Sequence, residues 1–231
     1  MLSYLWLFNM NILYVVRTRK IFSKATFKGL LVACLLLSVP TAQAGDSLPV
    51  ILAFGDSLTA GFGVPENQSY PAQLQVTLKQ NGYPHQVVNG GVSGDTTAGG
   101  VRRIGWLMKH NPKIVILGLG ANDGLRGQSL EEMESNLERI IAVCRGSAAQ
   151  VLLAGMKIPP NYGDEYSVGF EKVYERLAKK HELPLIPFLL EGIAAKREYT
   201  QPDGLHPLGS GYAIVTETVW KHLKPLLSES K

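Results

Sequence analysis

Cysteine is nearly absent from this sequence of 231 residues. It has two cysteines, and Cys34 lies in an N-terminal segment with the features of an export signal, so Cys144 would be alone in the mature chain. A single cysteine cannot form an intramolecular disulfide bond. Small exported domains often depend on such bonds, so the sequence predicts a fold held together by its apolar core instead.

A basic excess is also missing once the N-terminal segment is set aside. The whole chain has 23 Lys and Arg against 19 Asp and Glu. Five of the basic residues and none of the acids fall within residues 1–44, which leaves 18 basic against 19 acidic residues in the remainder. Proteins that bind nucleic acid present clustered positive charge, and we therefore expect no nucleic-acid partner.

Several short motifs that define other protein classes are missing as well. No Gly-x-Ser-x-Gly pentad occurs, which disfavours the common α/β-hydrolase architecture. No Gly-x-Gly-x-x-Gly follows the first apolar strand and no Walker Gly-Lys-Ser/Thr occurs, which disfavours a nucleotide or flavin binder. The histidines show neither a His-Glu-x-x-His motif nor clustered spacing, so we expect no metal and no cofactor; they are His85, His110, His181, His206 and His222.

What the N-terminal segment does contain is typical of an export signal. Residues 24–28 carry positive charge, residues 29–39 are apolar, and Ala42-Gln43-Ala44 is an A-x-A cleavage site. The apolar run is too short to span a bilayer comfortably. We therefore expect cleavage before Gly45 and a periplasmic or secreted protein that does not insert stably into a membrane.

The sequence thus divides into a leader, residues 1–44, and a single mature domain, residues 45–231. Residues 1–16 add a second apolar stretch before the charged region. A long leader, a membrane anchor and a misplaced start codon are the alternatives for this stretch, and we favour the misplaced start.

Short apolar runs alternate with helical patterns along the mature chain. Such alternation predicts βαβ units and a parallel sheet, and right-handed crossovers place helices on both of its faces. We therefore predict an α/β fold, a three-layer α/β/α sandwich with a five-stranded parallel sheet in the flavodoxin-like order 2-1-3-4-5. Strands are predicted near residues 50–54, 85–89, 114–117, 150–156 and 183–187, and helices near 69–80, 97–110, 129–144, 168–180 and 208–223.

Polar or glycine-rich clusters follow four of these five strands. Ser57 follows the first strand, Gly94 the second and Asn122 the third, while Asp203 and His206 follow the fifth. The carboxyl ends of parallel strands meet at one edge of a sheet, where ligands commonly bind. We therefore expect these distant segments to form one crevice.

The residue types in that crevice fit acyl transfer. The Ser57 hydroxyl needs a base to take its proton; His206 can be that base, and Asp203 can reach the other ring nitrogen. The N–H groups of Ser57 and Gly94 and the side-chain amide of Asn122 can donate to a developing oxyanion. Each residue alone is explained as well by a turn, a loop glycine or a helix start, and only the joint pattern indicates catalysis.

At these positions the sequence resembles the SGNH (GDSL) hydrolases. The resemblance covers most of residues 50–210, with the motifs in the order of the family. It implies a nucleophile at Ser57, oxyanion donors at Gly94 and Asn122, and an acid and base at Asp203 and His206. The matching blocks are Gly55-Asp56-Ser57-Leu58, Val92-Ser93-Gly94-Asp95-Thr96, Gly120-Ala121-Asn122-Asp123 and Asp203-Gly204-Leu205-His206-Pro207.

Two further stretches, residues 122–127 and 160–163, are similar to a periplasmic multifunctional subgroup with thioesterase, protease, lysophospholipase and arylesterase activities. The subgroup often has glycine where this chain has Ala121. The additional methyl group lies beside Asn122, and we expect the amide to keep its place.

The resemblance implies hydrolysis of acyl thioesters, lysophospholipids and aryl or short-chain esters through an acyl-serine intermediate. We expect a monomer that acts on a small-molecule or lipid acyl ester. Ile158, Pro159 and Pro160 are expected to line an acyl groove, with an ordinary rigid surface loop as the alternative. A carbohydrate acetylesterase of the same family, with a smaller acyl pocket, and a non-catalytic flavodoxin-like binding module remain alternative functions.

Overall fold

The computed structural model describes residues 48–227, apart from the side chain of Pro160, so the predictions for the leader lie outside the described residues. Five strands within this range form one parallel sheet in the order β2-β1-β3-β4-β5, which confirms the predicted architecture. The strands are β1 (Val50–Gly55), β2 (Gln86–Gly91), β3 (Pro112–Gly118), β4 (Gln150–Ala154) and β5 (Leu185–Ile186).

The two strands at the centre of the sheet are β1 and β3, and both are continuous apolar runs. Residues 51–54 of β1 and 114–117 of β3 are fully buried, as expected for strands covered on both faces. Gly55 at the end of β1 pairs with Gly91 of β2 and Gly118 of β3. Because these three strands end at the same level, the loops that follow them start side by side.

Helices cover both faces of the sheet. The connection from β1 to β2 runs in the opposite direction along the sheet from all later connections, so right-handed crossovers put its helix on the opposite face. The helices are α1 (Ser57–Ala60), α2 (Tyr70–Gln80), α3 (Thr97–Leu107), α4 (Ala121–Leu125), α5 (Leu130–Gly146), α6 (Asp164–His181) and α7 (Gly209–Leu227). Accordingly α2 packs against α7, whereas α3 packs against α5 and α5 against α6.

The structure differs from the sequence prediction mainly in short elements. The segments after β1 and β3, predicted as turns, each form a helix of about one turn, α1 and α4. The helix predicted to reach His110 ends at Leu107 and tightens into a 3₁₀ turn, Met108–His110. Asn111 then adopts a left-handed conformation at the end of that turn. It precedes Pro112, and the residue before a proline is disfavoured in the right-handed helical conformation.

The core between the sheet and the helices is formed mainly by apolar side chains. Cys144 on α5 is fully buried in it, and burial raises the pKa of its thiol to about 12. None of the helices in the described part of the chain is long and apolar enough to cross a membrane.

Candidate active site

The three residues predicted to act together, Ser57, His206 and Asp203, form a continuous hydrogen-bonded chain. Ser57 Oγ lies 2.9 Å from Nε2 of His206. Nδ1 of the same ring lies 2.7 Å from Oδ2 of Asp203. Side chains 149 residues apart in sequence therefore meet within hydrogen-bond distance, at the carboxyl edge of the sheet.

The loop that carries Asp203 and His206 is shaped by the aspartate itself. Oδ1 of Asp203 accepts the backbone N–H groups of Leu205 (2.9 Å) and His206 (3.0 Å). Partial desolvation alone would raise the pKa of Asp203, but these bonds and the imidazole lower it to about 2. The ionised carboxylate can only accept, so Nδ1 of the ring carries the proton and Nε2 is free to accept from Ser57.

The position of Ser57 follows from the turn that ends β1. Ser57 is the first residue of α1, and Asp56 is its N-cap, with Oδ1 accepting the N–H of Leu58 at 3.0 Å. The turn is so tight that a Cβ at Gly55 would overlap with Thr59 and with the carbonyl of Gly118. Asp56 is buried, and desolvation raises the pKa of its carboxyl to about 6.

The backbone N–H of Gly94 is one candidate oxyanion donor. Gly94 has φ +78°, a left-handed conformation that favours glycine. A Cβ here would have ample space, with Arg126 the nearest side chain at 3.9 Å. The conformation of the backbone therefore favours glycine at this position.

Asn122 supplies the second candidate donor, and its orientation is fixed by a neighbouring loop. Nδ2 donates to the backbone carbonyl of Asp95 at 3.0 Å and lies 3.4 Å from Oδ2 of Asp56. One amide hydrogen is thus held by the loop that follows β2. The amide also donates to the carboxylate of Asp56, which places it beside the turn that carries Ser57.

Two further contacts join the Gly94 loop to the Asn122 segment. The buried carboxylate of Asp123 accepts the backbone N–H of Thr97 at 2.9 Å and its hydroxyl at 2.6 Å. Burial raises the pKa of Asp123 even though these hydrogen bonds oppose the effect. Nη2 of Arg126 donates to the carbonyl of Gly94 at 3.0 Å. These two contacts therefore fix the relative position of the segments that carry the two candidate oxyanion donors.

A largely apolar cavity of about 460 Å³ opens beside Ser57 and His206. Of the predicted groove residues, Ile158 and Pro159 line this cavity. Pro160 begins a short 3₁₀ helix, and its side chain lies outside the described part of the structure. Other apolar residues of the lining are Leu58, Leu125, Met156, Phe188, Leu190 and Leu205.

The imidazole of His206 is covered on one side by Phe62, whose ring centroid lies 4.7 Å away. Gln201 connects the same two segments, because its side chain donates to the carbonyls of Phe62 (2.8 Å) and Pro207 (3.0 Å). The loop that carries His206 is therefore attached to the loop that follows Ser57.

Several supporting residues could not be identified from sequence patterns, among them Asp56, Asp123, Phe62 and Gln201. The first two lie within the matched motifs, so their positions were visible but their partners were not. Phe62 and Gln201 belong to no motif that we used, and their contact depends on how two loops pack. No cluster of His, Cys, Asp and Glu that could hold a metal ion occurs within residues 48–227.

Comparisons with known proteins agree with the family resemblance of the sequence motifs. Residues 53–214 match the sequence model of the GDSL-like Lipase/Acylhydrolase family. A crystal structure of TesA is similar with a TM-score of 0.75 and 40% identity, covering 77% of this chain and 99% of that one.

Three curated relatives are similar over most of their length. Esterase TesA of Pseudomonas aeruginosa is 40% identical over 86% of this chain and 98% of its own length. An arylesterase of Vibrio mimicus is 38% identical, over 82% and 95% respectively. Thioesterase 1/protease 1/lysophospholipase L1 of Escherichia coli K12 is 35% identical, over 84% and 91%.

Proposed function

Since the chain belongs to the GDSL-like lipase/acylhydrolase family, we propose that Ser57, His206 and Asp203 carry out its reaction. That reaction is the hydrolysis of esters and thioesters. The observation that carries this proposal is the unbroken chain of hydrogen bonds from Ser57 Oγ through the His206 ring to Asp203.

The first half of the reaction acylates Ser57. Nε2 of His206 takes the hydroxyl proton while Oγ attacks the substrate carbonyl carbon, and the carbonyl electrons move onto oxygen. The tetrahedral intermediate then collapses, the bond to the leaving oxygen or sulfur breaks, and the imidazolium returns its proton to the leaving group. Asp203, ionised above about pH 2, stabilises the imidazolium throughout this half.

The second half releases the acid. A water molecule gives a proton to His206 and attacks the acyl carbon. Collapse of the second intermediate breaks the bond between that carbon and Oγ, and the imidazolium returns its proton to Oγ to restore the Ser57 hydroxyl. In both halves the negative oxygen is stabilised by N–H of Ser57, N–H of Gly94 and the amide of Asn122. Each such donor contributes about 3–4 kcal/mol to transition-state stabilisation.

We propose that the cavity beside Ser57 binds the acyl chain. Its lining is mainly apolar, and each buried methylene group of a substrate contributes about 0.8 kcal/mol to binding. A volume of about 460 Å³ exceeds what an acetyl group requires, which favours longer acyl chains over the carbohydrate acetylesterase alternative. Ile158 and Pro159 would then contact the chain, as the sequence predicted.

The location of the enzyme is a separate proposal, supported by the leader sequence. We propose that residues 1–44 direct export and are removed before Gly45, leaving one domain in the periplasm or outside the cell. Sequencing the N-terminus of the exported protein tests this proposal, and a mature chain that still begins upstream of Gly45 would contradict it.

All the groups in the proposed mechanism come from one chain, so we expect the active form to be a monomer. Sedimentation of the active protein measures this directly. Activity found only in a dimer fraction would contradict the expectation.

Replacing Ser57 by alanine tests the catalytic assignment. We expect hydrolysis of a nitrophenyl ester by Ser57→Ala to fall to the background rate, with the thermal unfolding midpoint close to that of the unchanged protein. Ser147→Ala, an exposed serine at the end of α5, is the control and should retain full activity. Full activity of Ser57→Ala would show that Ser57 is not the nucleophile and that this crevice is not where the ester is hydrolysed.

The acyl cavity is tested by a series of esters and thioesters that differ only in chain length. We expect kcat/KM to rise with chain length until the cavity is filled. Ala194→Leu narrows the cavity at an exposed part of its lining and should move the optimum to shorter chains. Ala213→Leu, an exposed position on α7 away from the cavity, is the matched control. An unchanged optimum in Ala194→Leu would place the acyl chain elsewhere.

A further inference from the structure

The guanidinium group of Arg103 on α3 makes contacts that neither the motifs nor the mechanism explain. Its Nε donates to Oδ2 of Asp95 at 2.6 Å, Nη1 to the carbonyl of Gly90 at 2.5 Å, and Nη2 to the carbonyl of Gly55 at 2.8 Å. The same group lies 4.2 Å from the centroid of the Phe54 ring. A single cation therefore joins the ends of β1 and β2 to the loop that follows β2.

Two of the segments it joins carry candidate catalytic groups, Ser57 after β1 and Gly94 after β2. The carbonyl at the end of β1 lies two residues before Ser57, and Asp95 directly follows Gly94. The backbone carbonyl of Asp95 also accepts the amide of Asn122. The position of Asp95 thus affects both candidate oxyanion donors, and Arg103 fixes that position relative to the end of β1, which precedes Ser57.

The chemistry of this contact requires arginine rather than any positive charge. The side chains of Arg103 and Asp95 are 21% and 11% exposed, so both charges are largely removed from water. Such desolvation is offset only where the hydrogen-bonding geometry is good. The planar guanidinium has five N–H donors in a fixed fork, whereas a lysine ammonium is a compact charge on a flexible stem. Lysine at this position could not reach all three acceptors with comparable geometry.

We propose that Arg103 is a positioning residue for the oxyanion hole, acting through Asp95 on the orientation of Gly94 and Asn122. This inference rests on the proposed function, because it assumes that these groups stabilise an oxyanion formed at Ser57. The effect should appear in the chemical step, since misplacing a catalytic group by about 1 Å costs about 100-fold in rate.

The test compares Arg103→Lys with Arg102→Lys, its exposed neighbour on the same helix. We expect Arg103→Lys to lower kcat for a nitrophenyl ester by about 10- to 100-fold, with KM within about twofold and a folded, cooperative thermal transition. The pH midpoint of kcat should not move, because Arg103 contacts neither His206 nor Asp203. Arg102→Lys should leave all of these quantities unchanged.

Asp95→Asn provides a second variant that keeps the side-chain size but removes the negative charge. It should also lower kcat, but by a smaller factor than Arg103→Lys does. Combined with Arg103→Lys it should cost less than the product of the two single losses, because both act on one contact. If Arg103→Lys does not fold, the kcat and KM of Asp95→Asn decide the question alone.

Two outcomes would overturn the proposal while Ser57→Ala remains inactive. One is a folded Arg103→Lys protein, or failing that a folded Asp95→Asn protein, with unchanged kcat, which would make the contact purely structural. The other is a loss of kcat accompanied by a shifted pH midpoint, which would place the effect on His206. Retained activity in Ser57→Ala would instead refute the proposed function itself, so the two failures are distinguishable.

Discussion

The two halves of the candidate active site are built in different ways. Asp203 and His206 sit on a short loop that bonds to itself, and the Asp203 side chain is 39% exposed. Gly94 and Asn122 lie on separate segments held together by the buried carboxylate of Asp123 and by the backbone carbonyl of Asp95, which accepts the Asn122 amide. The first half owes its geometry to local sequence. The second depends on packing between loops that follow different strands.

This difference leads to the expectation that the two halves fail differently. Losing a group of the proton-transfer half removes a step of the reaction. Losing a group of the oxyanion half removes one of several donors and leaves the others in place. Substitutions in the first half should therefore cost more than those in the second, and the comparison can be measured.

The largest effect is expected in the proton-transfer half. His206→Ala should lower kcat by about 10⁶-fold and Asp203→Asn by about 10⁴-fold. The imidazole transfers the proton, whereas the carboxylate orients the imidazole and stabilises its protonated form. Single-turnover kinetics on a nitrophenyl ester measures both. His222→Ala and Asp164→Asn, away from the cavity, are the controls. The reverse order of losses would mean that the two roles are misassigned.

An intermediate effect is expected in the oxyanion half. Asn122→Ala should lower kcat by about 10²–10³-fold while KM changes little, because the amide stabilises charge that forms only in the transition state. Separate values of kcat and KM for the variant and the unchanged enzyme measure this split, with Asn81→Ala at the end of α2 as the control. A loss as large as that of His206→Ala would show that the two halves do not act separately.

The smallest effect concerns stability, and it has opposite signs for two carboxyl groups of the site. Burial raises the pKa of Asp56 from its ordinary value of 3.8 to about 6, so the folded state loses stability as pH rises from about 4 through 6. The pKa of Asp203 is lowered to about 2, so its contribution is present above its ordinary value of 3.8 and is lost as pH falls toward 2.

Denaturant unfolding of two variants at several pH values separates these contributions. Asp56→Asn should raise the free energy of unfolding at pH 7 by at most about 3 kcal/mol and give no gain at pH 4 or below. Asp203→Asn should lower it at pH 5 and have less effect near pH 2. An equal gain for Asp56→Asn at both pH values would show that its carboxyl does not titrate with folding.

Much of the fold was predictable because the central strands are continuous apolar runs. Residues 51–54 and 114–117 indicate strands buried on both faces, and the alternation with helices then predicts a parallel sheet, for which the order 2-1-3-4-5 is one common arrangement. Exact element ends were less predictable. At α6, for example, the helix begins at Asp164, whereas its apolar pattern suggested Val168, because the first turn is acidic and exposed.

The candidate site was predictable to the extent that its chemistry lies in short motifs. Ser57, Asp203 and His206 are recognisable by residue type and by their place after strands. Arg103 was not, because the Asp95–Arg103 contact joins a loop to the second turn of a helix with no periodic or spacing signal. Contacts of this kind arise only when the segments have already been placed by the sheet.

The burial of Cys144 has a practical consequence for solution work. With its thiol enclosed by α5 and the sheet and its pKa raised to about 12, the folded domain of residues 48–227 should be almost unreactive toward maleimides and other alkylating reagents. Within residues 48–227, a cysteine introduced at the rim of the acyl cavity would then be the single labelling position. A fluorophore attached there could report substrate entry without first removing a native residue.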